Sequence, residues 1–427
     1  MSEFPLINKK LKSGLRTLLL PRKEGETVTF LVLIGVGSRY ETLRQSGLSH
    51  FLEHMFFKGT ENRPDKKDIA EALDNIGAEF NAFTGEEVTG YYVKVAKEHL
   101  ELGADVVSDI LLHSLFPVEE IERERGVIVE EIKMYTDSPM QHVQNLWRAV
   151  LFGEHPLGRR IDGAIETVSK FKRPDFVAYT SRHYHAGNAV VAVAGNFNVD
   201  KTTELLKSLF VAIPRGVKTA PREAPKKLPK QKFVWERRQS LDQTHLVVGV
   251  PGVGINDSRR WAVELLSVIL GGGMSSRLFM LVREKHGLAY AVRTSSESFV
   301  DTGGLATQAG LRTDKADFAL DLILGEYDRV MNEAVPGTEL DKAKRIVRGH
   351  MVIDLEETNA LAMFTGGQEL FKKKVMTPDD IWKKIQAVSV RDIQTVAQEL
   401  LVPSKRAVAL LSPHKSVRSF EKLAQKE

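Results

Sequence analysis

His50 and His54, four residues apart with Glu53 between them, are the residues in this chain best spaced for metal chemistry. They lie in Gly47-Leu48-Ser49-His50-Phe51-Leu52-Glu53-His54-Met55-Phe56-Phe57-Lys58-Gly59, whose interior holds good helix formers and no proline. Ser46 or Ser49 can cap the start of such a helix and Gly59 can end it. On a helix the two imidazoles stand one above the other on one face, with Glu53 at its edge. Two imidazoles and a carboxylate at this spacing suit a tetrahedral Zn²⁺ whose water is addressed by a nearby base. Phe51, Leu52, Met55 and Phe56 are apolar, so the other side of the helix faces a dry core. His-x-x-Glu-His arises by chance in roughly one chain in forty of this length and histidine content. A third ligand must therefore come from elsewhere.

A long helix opened by Pro117 offers one. Positions 124, 127, 128 and 131 share a face and read Glu, Val, Ile, Glu, an apolar stripe with a carboxylate at each end. An unpaired carboxylate on an inward stripe is costly, and a divalent cation offsets that cost. Glu119, Glu120 and Glu122 fit a solvated face; Glu124 and Glu131 fit it less well. Glu130 lies about 100° round the helix from Glu131, which makes Glu131 the third candidate ligand. His183 and His185 have no acidic companion nearby and read as structural histidines.

The elements that must position these residues follow from punctuation and periodicity. Leu15–Leu20 and Val28–Ile34 read as strands, Lys66–Ile76 as a helix closed by Gly77, and 98–112 as another helix. Residues 78–85 and 88–95 read as a strand pair, and Asn81, Ala82, Phe83 and Thr84 can form an edge that pairs with an extended peptide. Strand Ala189–Gly195 and helix Val199–Leu209 follow. Residues 216–232, rich in Pro, Lys and Arg, form a semi-rigid linker. Beyond it the first half recurs weakly: Thr244–Val250 echoes the strand at 28–34, and the stretch from Pro336 to His350 echoes the long helix. No second His-x-x-Glu-His accompanies it, so the chain reads as a duplication with one metal site. The domains expected are 1–215, the linker 216–232, and 233–427. Gly271-Gly272-Gly273 is not a phosphate loop, because no Lys-Ser/Thr follows in the required place.

Composition narrows the function class. With 60 basic and 56 acidic residues the net charge is +4, which gives no support for nucleic-acid binding. There is no cysteine, so any zinc must use His and carboxylate. No apolar run reaches a membrane span, and the start of the sequence lacks a secretory pattern. The expectation is a cytoplasmic protein without membrane association.

His50-Phe51-Leu52-Glu53-His54 followed by Glu124 and Glu131 closely resembles the pitrilysin/insulinase metallopeptidases, the inverzincins. Gly47 through Thr60, Asn81-Ala82-Phe83-Thr84, His155-Pro156-Leu157-Gly158 and Arg283 through Tyr290 match the branch that holds the mitochondrial processing peptidase catalytic subunit and its bacterial relatives. The resemblance implies an α+β protein of two tandem homologous domains, each a mainly antiparallel sheet packed by helices. It implies one Zn²⁺ per chain on His50, His54 and Glu131, Glu53 as general base, and Glu124 as a carboxylate beside the metal. Arg283 and Tyr290 would reach the peptide substrate, and two chains would close around it as a homodimer. The activity implied is endopeptidase action on extended oligopeptides or unfolded segments. Two alternatives stay open: a non-catalytic peptide-binding or scaffold subunit, and a catalytic subunit that needs a different partner chain.

Overall fold

Strands made of unbroken apolar runs need cover on both faces, and that requirement shapes both halves of this chain. The computed structural model describes residues 4–221, 223–224, 229–372 and 374–425; residues 222 and 225–228 of the expected linker lie outside the described residues. The chain divides into two compact units. One comprises Met1–Ile132, Arg160–Arg222 and Val352–Thr377, the other Lys133–Arg159, Glu223–Met351 and Pro378–Glu427.

The first unit is built on β1 (Ile7–Lys10), β2 (Arg16–Pro21), β3 (Thr27–Ile34), β4 (Glu79–Thr84), β5 (Thr89–Ala96) and β6 (Ala189–Gly195). Their order is β1-β2-β6-β3-β5-β4, antiparallel throughout except for the β2/β6 pair. Successive residues of the central strands serve opposite layers. Phe30, Val32, Val191 and Val193 join a core with Phe51, Leu52 and Met55 of helix Leu48–Met55 and with Val107 and Ile110 of helix Leu100–Leu112. Leu31, Leu33, Val190 and Ala192 face the other way, onto Leu361, Ala362 and Leu370 of helix Thr358–Phe371. β4 closes the sheet on one side, paired with β5 alone.

The second unit repeats the pattern with β7 (Phe233–Arg237), β8 (Gln243–Gly252), β9 (Ala289–Ser298), β10 (Gly303–Arg312) and β11 (Ala407–Ser412). Its order, β7-β11-β8-β10-β9, follows the same path as β2-β6-β3-β5-β4, again with a single parallel pair, β7/β11. One face is covered by helix Pro139–Phe152, whose Val143, Trp147 and Leu151 pack on Val247, Ala409 and Leu411. The Trp147 indole also donates to the Ala407 carbonyl at 3.2 Å. The two-unit α+β architecture is the one implied by the sequence.

The units are nevertheless not the contiguous stretches 1–215 and 233–427. Helix Thr358–Phe371 belongs to the first unit and helix Pro139–Phe152 to the second. The physical reason is the second apolar face of each sheet, which the residues of its own half leave uncovered. Among the described residues no helix is long and apolar enough to cross a membrane.

Leu370 is 1% exposed at the end of its helix, against the first sheet. Leu370→Ala is expected to cost about 2–5 kcal/mol in urea unfolding. Hydrogen exchange should quicken in β3 and β6 and leave β8 and β10 protected.

Candidate metal centre

The helix that carries the histidines, Leu48–Met55, is fixed by its apolar side. Leu48, Phe51, Leu52 and Met55, at i, i+3, i+4 and i+7, are fully buried. Phe51 meets Phe176 edge-on at 5.0 Å, and the following Phe56 meets Tyr91 in the same way at 5.2 Å. His50, Glu53 and His54 share the opposite, half-buried face.

Neither Ser46 nor Ser49 caps this helix. Gly47 occupies the capping position with φ 94°, a left-handed conformation, and a Cβ there would stand 2.8 Å from the Asp162 carbonyl oxygen. The free N–H groups are taken instead by Glu41, whose carboxylate accepts from Gly47 at 2.9 Å and from Ser49 at 2.7 Å. Its charge also suits the positive end of the helix. The Ser49 hydroxyl is used elsewhere, 2.8 Å from the Tyr179 hydroxyl. At the other end, Gly59 adopts φ 124° beside the Pro64 carbonyl, as a chain reversal after the helix requires.

Glu131 approaches from helix Val118–Asp137. Its Oε2 lies 3.7 Å from His50 Nε2 and 3.6 Å from His54 Nε2. All three ligand atoms fall within 4.8 Å of one another, and no other such group of His, Asp or Glu occurs among the described residues. Donors bound at about 2.0–2.1 Å to a tetrahedral ion sit roughly 3.3 Å apart, so the triad needs only a small contraction to hold one. The inward stripe of the long helix differs from the expected one. Val127 is 48% exposed, and the buried positions are Ile121, Glu124, Ile128 and Ile132. Glu131 sits at the margin of this stripe rather than within it, with its side chain 20% exposed.

Three of the ionisable groups, His50, Glu53 and Glu124, are shifted by their surroundings. Burial and the neighbouring His54 push His50 below the usual histidine range, against weaker pulls from Glu131 and Asp162. That favours the neutral imidazole a metal ligand must be. Burial raises the Glu53 carboxyl above its ordinary range, although the hydrogen bond from Thr84 and the nearby His54 oppose the rise. Burial would also raise Glu124. Hydrogen bonds from His54 and Lys58, with their charges, outweigh it and hold Glu124 down at about 2. Glu124 Oε2 is 3.3 Å from His54 Nδ1, and its Oε1 is 2.7 Å from Lys58 Nζ. The His50 Nδ1, by contrast, is buried without a partner.

Of the residues expected on the β4 edge, Thr84 has a direct link to the centre: its hydroxyl donates to Glu53 Oε2 at 2.5 Å. Asn81 is exposed and its Oδ1 accepts from the Ala82 N–H at 2.9 Å. Ala82 is buried and Phe83 half-buried. Arg283 and Tyr290 lie in the second unit, at a π-helical turn, Phe279–Lys285, and on β9. The Arg283 guanidinium stands over the Phe279 ring at 4.7 Å and the Tyr290 ring at 5.3 Å, with Tyr290 79% exposed. His183 and His185 are buried outside the triad, as structural histidines would be.

Three contributors went unread in the sequence. Glu41 acts from outside the helix, where no periodicity marks it. The Thr84 hydroxyl was read only as part of an edge. Lys58 follows His54 by one helical turn, a spacing that could have drawn attention to it.

The chain also has clear relatives. A family model described as Insulinase (Peptidase family M16) matches residues 16–164, and one described as Peptidase M16 inactive domain matches residues 170–347. An uncharacterized zinc protease of Streptomyces coelicolor is 35% identical over 97% of this chain and 92% of its own length. The uncharacterized zinc protease YmxG of Bacillus subtilis is 35% identical over 94% of this chain and 97% of its own. Among solved structures, a protease from Helicobacter pylori superposes with a TM-score of 0.90 at 23% identity, covering 96% of this chain and 100% of that one. A Pseudomonas fluorescens structure described as a peptidase M16 inactive domain gives 0.89 at 19% identity, covering 97% and 99%.

Glu41→Gln keeps the size of the side chain and removes one of two charge-assisted acceptors at the helix start. It is expected to lower unfolding free energy by about 1–3 kcal/mol, read by urea titration of the metal-free protein.

Proposed function

Because the chain belongs to the pitrilysin/insulinase family of metallopeptidases, we propose that it is a zinc-dependent endopeptidase acting on extended oligopeptides or unfolded segments. The observation that carries the reading is the convergence of His50, His54 and Glu131 beside the raised carboxyl of Glu53. A single Zn²⁺ held by those three residues supplies, when bound, the positive charge that acidifies a water and polarises a peptide carbonyl.

The rest is the work of the chain's own groups. Glu53 has one oxygen held by Thr84, which fixes the plane of the carboxyl and leaves Oε1 for proton transfer. It takes the proton of the attacking water and returns it to the departing amine, so proton count is conserved over the cycle. A peptide added as a further strand on β4 would run past Glu53 with its backbone hydrogen-bonded at Asn81 to Thr84. The Ala82 N–H, now taken by Asn81, must be released or shared for that pairing.

The proposal extends to assembly. The chain has two units of like topology but, among the described residues, one candidate ligand triad, and the family resemblance implies that two chains enclose the substrate. Arg283 and Tyr290 of one subunit would then meet the peptide held at the zinc of the other. The approach of the Arg283 guanidinium to two rings supports a role that needs it prepositioned. A cytoplasmic location belongs to the same proposal.

The purified chain is expected to hold about one zinc and to cleave a quenched unfolded peptide. Glu53→Gln should keep the metal and lose at least about 100-fold in kcat, whereas Glu131→Gln should weaken zinc binding itself. Near-full turnover by Glu53→Gln would end the general-base assignment.

Assembly is tested by complementation. Glu53→Gln and Arg283→Ala chains are each expected to be inactive, and co-expression should restore cleavage, because one site of the mixed dimer has both groups intact. No recovery despite demonstrated subunit exchange would exclude sites completed in trans.

A further inference from the structure

The histidine helix ends in a turn in which the Lys58 N–H donates to the Met55 carbonyl at 3.2 Å. This turn brings the Lys58 side chain back beneath His54, one helical turn earlier. There its ammonium meets Glu124 Oε1 at 2.7 Å, while Glu124 Oε2 meets His54 Nδ1 at 3.3 Å. We infer that Lys58 is a positioning residue of the metal centre, holding the Glu124 carboxylate so that it accepts a hydrogen bond from the His54 Nδ1–H and leaves Nε2 free to bind metal.

The chemistry follows from what each group can donate. An ionised carboxylate only accepts hydrogen bonds, so the His54 Nδ1 beside it must carry the proton. The Nε2 lone pair is then available, and it faces Glu131 Oε2 at 3.6 Å. Glu124 is 5% exposed, so water is a poor substitute for a lost partner. Removing Lys58 leaves Oε1 desolvated and unpaired, which costs more than the bond itself contributed. The carboxylate then turns toward whatever donor remains, and the Nδ1 contact that selects the tautomer loosens. His50 has no such support, since its Nδ1 is buried without a partner. Orientation of the pair therefore depends on His54, and through Glu124 on Lys58.

This inference rests on the zinc reading, and its test separates the two. Lys58→Met and Lys58→Arg are compared with the unaltered chain in zinc affinity, measured by competition with a chelator. Lys58→Met should weaken affinity about tenfold, and Lys58→Arg, which keeps charge and donor, should recover most of it. The second measurement uses metal-free protein labelled with ¹⁵N-histidine, with His54 assigned through His54→Gln. The unaltered chain and Lys58→Arg should show His54 as the Nδ1–H tautomer, and Lys58→Met should show a mixture of both. If Lys58→Met leaves tautomer and zinc affinity unchanged, the inference is overturned. It is equally overturned if thermal stability of the metal-free protein falls while the tautomer stays fixed, because the lysine is then only a structural tie. Should the unaltered chain bind no zinc, the peptidase reading fails, and the tautomer measurement still decides the role of Lys58.

Discussion

The separation between two helices, Leu48–Met55 and Val118–Asp137, governs the candidate centre. Two candidate ligands come from the first and one from the second, and the Glu131 Oε2 stands 3.7 and 3.6 Å from the two imidazole nitrogens. A shift of even one ångström between the helices would put the third donor beyond reach of a single ion. Packing sets the gap: Phe51, Leu52 and Met55 share one core with Ile121, Ile128 and Ile132, all of them nearly or fully buried. Interiors at this density deform little. The polar contacts of Glu124 with His54 and Lys58 span the same gap and add direction to what the core fixes in distance.

Three glutamates near that gap differ in behaviour although their chemistry is the same. Glu53 is half-buried with the neutral Thr84 hydroxyl as partner, and its carboxyl is raised. Glu124 is buried but faces an ammonium and an imidazole, and it is held at about 2. Glu131 stands at the margin, directed at two imidazole nitrogens. Environment alone thus sets three identical side chains apart: one raised, one held low and one directed at two imidazoles.

Much of this was legible in the sequence where the signal was local. The spacing of His50 and His54 placed them on one helix face, and the largely apolar runs at 28–34 and 189–195 marked strands. Helix Val199–Leu209 has the bounds its pattern suggested. The reading of the long helix shows where such signals stop: periodicity put Val127 inward, but the axis is rolled enough to expose it and to bury Ile132. Cap chemistry failed for a similar reason. Ser46 and Ser49 are suitable residues, yet Glu41, brought close by a preceding turn, takes the N–H groups they would have taken. Contacts such as Thr84 with Glu53 join residues far apart in the chain and leave no trace in spacing.

The exchange of helices between the two units bears on synthesis. The first sheet is complete in sequence by Gly195, but the helix that covers its second face ends only at Phe371. At roughly 5–20 residues per second on the ribosome, that sheet waits on the order of ten seconds or more with Leu31, Leu33 and Val190 exposed. Helix Pro139–Phe152 meanwhile emerges with its apolar face ready long before β8 and β11 exist to receive it. Between these points a nascent chain carries both apolar surfaces uncovered, the kind of surface a chaperone binds.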